Sequence, residues 1–200
     1  MLYENFPALK GIEKEINAVI DAMIAAYEAG GKLLIAGNGG SSCDAEHIVG
    51  ELMKGFNEKR AVTDPRIPGA LAQNLQGALP AIALTTGIAL PTAYLNDVDG
   101  EYTVAQALYG LAKPEDVVLL ISTSGNAKNL VHAAELASCI GVKSVALTGE
   151  GGGKLATICD LAVKVPATET YRVQEYHLPV YHEICAAVEQ HFFGSKSVES

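Results

Sequence analysis

Mostly apolar runs alternate along this chain with segments in which apolar residues recur every three or four positions. The runs cover residues 33–36, 80–84, 117–121, 143–147 and 161–165. Runs of this kind are typical of parallel strands buried on both faces, and the wider spacing is typical of amphipathic helices. The alternation predicts an α/β fold: a doubly wound, mainly parallel five-stranded sheet with right-handed crossovers.

The first and last helices are predicted to be long. Apolar side chains from Ile12 to Tyr27 form one stripe, and the glycine pair at 30–31 ends that helix. The stripe either lies on the sheet or pairs with the same helix of another subunit. The last helix is predicted over residues 174–193, with a kink at Pro179 because proline has no backbone N–H to donate.

Between these two helices the pattern predicts shorter helices and two connections. A polar segment over residues 57–69 is the most basic part of the chain and is expected to be a surface loop. Residues 85–103 are rich in turn-forming residues and are expected to be a loop that carries Asn96 and Asp97. Helices are predicted at residues 44–56, 70–79, 103–113 and 126–140, with one short helix before residue 161.

Composition narrows the class of protein. The chain has 200 residues, 49% hydrophobic and 18% charged, which predicts one globular domain over residues 1–200. The net charge of −9 argues against nucleic acid or an anionic membrane as a partner. No apolar run is long enough to span a bilayer, and charges stand where a secretory signal needs an apolar core. A cytoplasmic location is therefore expected.

The cysteines are scattered without paired spacing, at Cys43, Cys139, Cys159 and Cys185. This distribution fits reduced, mostly buried thiols better than a disulfide framework or a zinc knuckle. Cys43 has an alternative role, because a thiolate near a helix start is stabilised by the backbone there.

Two predicted strands run into loops rich in glycine and hydroxyl side chains, at residues 37–42 and 122–126. Helix-start amides and the helix dipole favour an anion such as phosphate at such loops. Ligands bind outside the carboxyl ends of parallel strands, so two such loops on adjacent strands would share one crevice. A glycine-rich turn also occurs for packing alone, so the pairing of the loops is what favours phosphate binding.

Neither loop fits a nucleotide signature. The lysine of a Walker loop is absent, and Ser42 stands where a dinucleotide fingerprint has its third glycine. The next strand ends in Leu84, Thr85 and Thr86, without the acidic residue that binds a ribose. These features argue against a Rossmann oxidoreductase and predict no nucleotide cofactor. A phosphate held by neutral hydroxyls and amides suits a sugar phosphate.

His47 and Glu51 are four residues apart, so both side chains lie on one face of a predicted helix and can address one metal or one substrate. An exposed helix pair is the plainer alternative. The last helix carries further candidates: Gln174, His177, His182 and His191. A lone histidine is usually a surface or interface group, and convergence of the two sets is the alternative hypothesis.

Four motifs occur in order along the chain: GNGGSSCDAEHIVGE, ISTSGN, LTGEGGGKLA and RVQEYHLPVYH. Together they resemble the sedoheptulose 7-phosphate isomerases, or phosphoheptose isomerases, of the sugar isomerase (SIS) fold. The likeness covers nearly the whole chain and is more specific than either loop. It implies a flavodoxin-like subunit in a homotetramer, with active sites shared between subunits and with the long first and last helices used for assembly.

The resemblance also implies roles for individual residues. Glu51 would be the base that moves a proton between C1 and C2 through an enediol. His182 would be the acid that protonates oxygen and helps open the sugar ring. Asn96 and Asp97 would face the sugar. The other substrate-binding positions would be Asn38, Gly39, Gly40, Ser41, Ser122, Thr123, Ser124, Asn126 and Gln174.

In zinc-containing members of the family the metal positions match His47, Glu51, Gln174 and His182, which implies one zinc ion per subunit. A carboxylate held by zinc is a poorer base, so Glu51 serves both roles only if its coordination loosens during turnover. Gln174 and His182 are separated by about 12 Å of helical rise, so they share a metal only if their side chains lean together. His177 is the alternative ligand.

Two residues depart from the family pattern. Ala127 stands where the isomerases usually have serine, so one phosphate contact is expected to be missing. Tyr171 stands where some members have aspartate. Residues 60–79 and 85–95 fit the family loosely, which leaves the exact sugar and its anomer open.

The leading hypothesis is a phosphosugar ketose-aldose isomerase that converts sedoheptulose 7-phosphate into D-glycero-D-manno-heptose 7-phosphate. The alternative is a non-catalytic binding protein of the same fold, either a sugar-phosphate sensor or a scaffold associated with a replication initiator. The presence of both Glu51 and His182, with a nearly complete hydroxyl loop, favours the enzyme.

Overall fold

A computed structural model of the chain, which describes residues 2–194, contains a sheet of five parallel strands in the order β2-β1-β3-β4-β5. The strands are β1 (Leu33–Gly37), β2 (Ala81–Ala83), β3 (Val117–Ser122), β4 (Lys143–Thr148) and β5 (Leu161–Lys164). This is the flavodoxin-like order, in which the chain winds outward in both directions from the β1–β3 pair. The predicted doubly wound α/β fold is confirmed.

Helices cover both faces of this sheet. They are α1 (Leu2–Asn5), α2 (Glu13–Glu28), α3 (Gly40–Met53), α4 (Gly69–Ala72), α5 (Ala89–Asp97), α6 (Thr103–Leu111), α7 (Lys128–Ile140), α8 (Leu155–Ile158) and α9 (Thr170–Phe193). Short 3-10 turns, Pro7–Ile12 and Gly100–Tyr102, precede α2 and α6. Within the described part of the chain, each helix is too short or too polar to cross a lipid bilayer.

The alternation of side chains along β1 explains why its sequence is apolar without interruption. Leu33 and Ile35 pack on one face against α2, α3 and α9. Leu34 and Ala36 pack on the other face against α6 and α7. Successive strand residues point to opposite faces, so a strand covered on both sides buries every side chain. Each buried leucine or isoleucine contributes about 1.5–3 kcal/mol by leaving water.

Four sequence-based interpretations are wrong. The thiols are not mostly buried, since Cys43 and Cys139 are exposed and only Cys185 is buried. The helix predicted at 70–79 is a single turn, Gly69–Ala72.

Residues 89–97 form helix α5 rather than a loop, since Pro91 lies in the first helical turn, where a missing N–H costs nothing. None of the side chains of α5 is buried, so no periodic apolar stripe marked it. Arg60, expected in a surface loop, is only 2% exposed because backbone carbonyls and a carboxylate surround it.

The last helix begins four residues earlier than predicted, at Thr170, and its helical structure continues through Pro179. The third helix likewise begins at Gly40 rather than at residue 44. Both starts lie closer to the strand ends than the sequence indicated. Consequently, residues of the predicted phosphate loop form the first turn of α3.

His177 on α9 is a fully buried side chain whose ring nitrogens lack a hydrogen-bond partner among residues 2–194. Burial lowers the pKa of His177 to about 4, with a smaller opposing effect from the backbone of Thr148. The ring is therefore neutral in the folded protein at neutral pH.

We expect His177 to make the protein less stable in acid. The unfolded chain takes up the proton near pH 6.5 and the folded chain only near pH 4, so stability is lost as the pH falls between these values. Between pH 7 and pH 4.5 this group should remove about 2–3 kcal/mol of unfolding free energy. His177→Leu should abolish that part of the loss, measured by urea unfolding at one protein concentration. Equal losses in the two proteins would contradict the prediction.

Candidate active site

The candidate site lies at the carboxyl edge of the sheet, where β1 and β3 end side by side. The two strands pair in parallel up to Gly37 and Ile121. The loops that follow them therefore open onto one crevice, as their sequences predicted. Gly39, immediately before α3, has a φ of 56°, a left-handed conformation that favours glycine. This turn starts α3 inside the crevice.

A pocket of about 320 Å³ occupies the crevice. The side chains of Ser41 and Ser122 in its wall are nearly buried. Hydroxyl groups supply hydrogen-bond donors beside the positive end of the α3 dipole, and none of the lining residues carries a charge, so the pocket suits an anion held by neutral groups. The lining residues are Asn38, Gly40, Ser41, Ile121, Ser122, Thr123, Ser124, Ala127, Thr170 and Gln174.

Two lining residues show how closely the pocket is fitted. Gln174 reaches it from α9, and a Cβ atom on Gly40 would lie 2.6 Å from the Gln174 amide nitrogen. Only glycine at position 40 permits this approach. Ala127 supplies a methyl group to this wall, so its side chain offers no hydrogen-bond donor.

Asn38 and Asn126, both predicted to bind substrate, make hydrogen bonds within the protein. Asn38 exchanges two amide hydrogen bonds with Asn129, at 2.9 and 3.0 Å. Asn126 accepts a hydrogen bond from the backbone N–H of Lys154 and donates one to the carbonyl of Ser124, both at 3.0 Å. Asn126 does not line the pocket and instead ties the second loop to the glycine-rich turn before α8.

A cluster of potential proton-transfer and metal-binding groups lies further along α3. Ligand atoms of His47, Glu51 and His182 all lie within 4.8 Å of one another. His47 Nε2 is 3.1 Å from Glu51 Oε1 and 3.4 Å from His182 Nε2. The structure thus brings together the groups from the third and last helices whose convergence the sequence left open.

Tyr181 and Asp44, which the sequence did not single out, hold His47 in place. Tyr181 Oη lies 2.9 Å from His47 Nδ1 and donates to Asp44 Oδ1 at 3.3 Å. Burial, with a smaller effect of Asp44, raises the pKa of Tyr181, so the phenol keeps its proton. This contact at Nδ1 holds the His47 ring in the orientation that turns Nε2 toward Glu51 and His182. Tyr181 has the helical spacing of a core residue, so the sequence did not indicate its contact with His47.

His182 is held in its neutral form. Burial lowers its pKa, and the neighbouring His47 ring lowers it further, while Glu51 acts in the opposite direction. Phe56 packs beside the His182 ring, with 5.4 Å between the ring centroids. A neutral imidazole can donate an N–H to a substrate oxygen or bind a metal through its lone pair.

The remaining predicted residues lie apart from the pocket. Asn96 and Asp97 are exposed at the end of α5, where the Asn96 amide donates to Asp97 Oδ1 at 2.8 Å. Neither lines the pocket formed by the described residues, and Gly39 only shapes its entrance. His177, the alternative metal ligand, is buried and does not belong to the cluster.

The fold and the hydroxyl-lined pocket define a class of protein. Residues 8–149 match the family model of the SIS domain. The phosphoheptose isomerase of Aneurinibacillus thermoaerophilus is 40% identical to this chain over 92% of its length and 84% of the relative. That of Trichlorobacter lovleyi is 36% identical over 96% of this chain and 92% of the relative.

Solved structures agree with these relatives. The phosphoheptose isomerase of Francisella tularensis has a TM-score of 0.80 at 30% identity, and that of Neisseria gonorrhoeae 0.78 at 29%. In both cases the match covers 93% of this chain and 91% of the other. The chain belongs to the phosphoheptose isomerase family of SIS-domain proteins.

The second loop depends on a close approach between Gly125 and Gly152. Gly125 has a φ of 66°, and a Cβ atom there would overlap the Gly152 carbonyl oxygen. Gly125→Ala should lower the free energy of unfolding by about 2–4 kcal/mol, from left-handed strain plus the steric overlap. Thermal or urea unfolding measures the loss.

Gly141→Ala is the matched control, because Gly141 has a φ of 74° but nothing lies within 4 Å of its added Cβ. This variant should lose only the strain, about 1–2 kcal/mol. Equal losses in the two variants would contradict the role assigned to the contact between Gly125 and Gly152.

Proposed function

We propose that this protein is a phosphosugar ketose-aldose isomerase that converts sedoheptulose 7-phosphate into D-glycero-D-manno-heptose 7-phosphate through an enediol. The observation that carries the proposal is the placement of Glu51 beside His182. Glu51 lies on α3, the helix whose first turn lines the hydroxyl pocket. Relatives at 40% and 36% identity bear the name of the same activity. Asn38, Ser41 and Ser122–Ser124 bind the phosphate and neighbouring hydroxyls, with Gln174 from α9.

The spacing along α3 supports a long, phosphorylated substrate. From Ser41 to His47 the helix rises about 9 Å, and from Ser41 to Glu51 about 15 Å. An extended seven-carbon sugar phosphate reaches the level of His47, and helical side chains lean toward the start of the helix, which brings the Glu51 carboxylate closer to the pocket. A phosphate in the pocket therefore places C1 and C2 of the sugar beside the carboxylate and the imidazole.

The reaction moves protons between two carbons and two oxygens. Glu51 removes a proton from C1 of the open-chain ketose and returns it to C2, which produces the aldose. Neutral His182 donates its ring N–H to the C2 oxygen as the enediol forms and recovers a proton from the C1 oxygen as the enediol collapses. The same imidazole assists ring opening by protonating the ring oxygen.

Zinc fits the cluster, in which two imidazoles and one carboxylate converge, and Gln174 is the fourth ligand proposed from the family pattern. The neutral form of His182 and the Tyr181 hydrogen bond to His47 Nδ1 both favour metal binding through Nε2. When bound, the ion would polarise the substrate oxygens. Glu51 acts as the base only when its carboxylate is released from such coordination.

A homotetramer with shared sites is also part of the proposal. Ile88, Leu95 and Val98 are 79%, 66% and 65% exposed around α5. Such apolar exposure supports coverage by another subunit. Asn96 and Asp97, which lie on the same segment, would then face the sugar bound by a neighbouring subunit. The free thiols support a cytoplasmic protein.

Glu51→Gln is expected to reduce kcat for heptose phosphate isomerisation by about 10²–10⁴-fold, because the amide cannot accept the C1 proton. Turnover of five- to seven-carbon sugar phosphates, followed by NMR, measures the effect and the preferred substrate. Glu46→Gln, an exposed change on the same helix, should retain wild-type turnover. Undiminished turnover of Glu51→Gln would sink the assigned base. Tight sugar-phosphate binding by wild-type protein without turnover would favour the non-catalytic alternative.

Protein purified without chelators should contain about one zinc ion per subunit by elemental analysis. His47→Ala should weaken zinc affinity about tenfold or more, since it removes one ligand and the group fixed by Tyr181. His191→Ala is the control. His191 is exposed in the last turn of α9, and its ring lies within hydrogen-bond distance of Glu28 on α2. Metal-free protein with full turnover would refute a zinc requirement.

A further inference from the structure

A buried ion pair lies next to the cluster and joins the two helices that carry it. Arg60 follows α3 in the chain, and Glu189 lies on α9. Both side chains are fully buried, and Arg60 Nε donates to Glu189 Oε1 at 2.8 Å. Burying two charges is costly unless every donor and acceptor is paired, so the other contacts of this pair decide what it does.

The guanidinium of Arg60 binds the last turn of α3. Its Nη2 donates to the carbonyl of Glu51 at 2.9 Å, and its Nη1 donates to the carbonyl of Leu52 at 2.5 Å. Both carbonyls belong to the last four of the helix, which have no partner within it. The cation also complements the negative end of the helix dipole. Arg60 thus fixes the backbone of the residue that carries the proposed base.

The carboxylate of Glu189 binds the chain that follows α3. It accepts hydrogen bonds from the backbone N–H groups of Phe56 and Asn57, at 2.7 and 2.6 Å. Burial alone would raise the pKa of Glu189, but these N–H groups and Arg60 lower it, so the side chain is ionised. Phe56, held in this way, packs against the His182 ring.

Glu189 also stands two helical turns after His182 on α9, so both residues lie on one side of that helix. The ion pair therefore connects the backbone of Glu51, the ring of Phe56 and the helix of His182 through a single buried unit. Neither Arg60 nor Glu189 lines the hydroxyl pocket. Their contacts act on the cluster and leave the phosphate-binding loops untouched.

We infer that Arg60 and Glu189 are positioning residues, which hold the Glu51 carboxylate within reach of the His182 imidazole. The inference rests on the proposed isomerase function and adds two residues to its machinery. Arginine is needed because its planar fork donates to Glu189 and to two carbonyls at once, whereas lysine is a point charge on a flexible stem.

The chain contains a matched ion pair that is remote from the site. Lys32 Nζ lies 2.6 Å from Asp116 Oδ2, and Asp116 also accepts from the backbone N–H groups of Lys32 and Lys113, at 2.8 and 2.7 Å. The Asp116 side chain is 1% exposed. This pair joins the amino ends of β1 and β3, at the opposite edge of the sheet.

The test compares two double variants with wild-type protein, Arg60→Met/Glu189→Met and Lys32→Met/Asp116→Met. Removing both charges leaves no unpaired ion in either variant. The first should lose kcat about 10- to 100-fold, because small displacements of reacting groups carry penalties of this size. Its KM should change less than about threefold, since the pocket is intact. The second should keep both constants near wild type, even if its melting temperature falls.

Spectra of ¹³Cε1-labelled histidine supply a readout that does not depend on turnover. The His47 and His182 resonances should shift in Arg60→Met/Glu189→Met and stay in place in the remote double variant. If wild-type protein isomerises no sugar phosphate and these shifts appear, the proposed function fails while the structural link stands. Unshifted resonances in a folded variant overturn the link.

Arg60→Lys covers the case in which the double variant does not fold. It keeps the charge but lacks the planar fork that reaches Glu189 and both α3 carbonyls together, so kcat should fall about tenfold with little change in KM. A folded Arg60→Lys variant with wild-type kcat, or with KM raised as much as kcat is lowered, would overturn the inference.

Discussion

The parallel pairing of β1 with β3 is the constraint on which the candidate site depends. Because the two strands run side by side to Gly37 and Ile121, both hydroxyl loops leave the sheet at the same edge. The chain winds away from this pair in opposite directions, so no crossover helix covers the crevice between the loops. A one-residue shift in this register would move every side chain of the strand to the opposite face of the sheet. Both faces are buried, so the packing of both would be lost.

The site separates its uncharged hydroxyl pocket from the charged carboxylate of Glu51. A protein with a net charge of −9 repels a sugar phosphate at long range, so attraction has to be local. The pocket can supply it through its hydroxyl groups and the positive end of the α3 dipole, because none of its lining residues carries a charge. The backbone of Glu51 lies about 15 Å of helical rise further along the same helix, a separation that limits repulsion between its carboxylate and an anion in the pocket.

The sheet and its loops could be predicted because the signals were local. A strand buried on both faces, such as β1, must be apolar at every position, and its end is marked by glycine. The same reasoning placed Ser41 and Ser122 in one crevice. The pairing of His47 and Glu51 followed from helical spacing, but their meeting with His182 depended on how α3 packs against α9, which no local pattern encodes.

The sequence did not reveal residues whose surroundings are formed by distant parts of the chain. Arg60 stands in a basic segment with Lys59 and Arg66, and nothing in its neighbourhood distinguishes the buried cation from the exposed ones. Only the free carbonyls at the end of α3 and the carboxylate of Glu189 make its burial favourable. Helix α5 was missed for the converse reason, since a helix without a buried face has no stripe to detect.

Helices α3 and α9 act together as the frame of the site. The first turn of α3 lines the phosphate pocket and its last two turns carry Glu51, while α9 contributes Gln174 to the pocket and His182 to the cluster. The separation between the hydroxyl pocket and the cluster is thus set by a rigid helical rise rather than by a loop. In the proposed reaction, a substrate whose length matches this rise would be held at both ends, by the hydroxyl pocket at one end and by the cluster at the other.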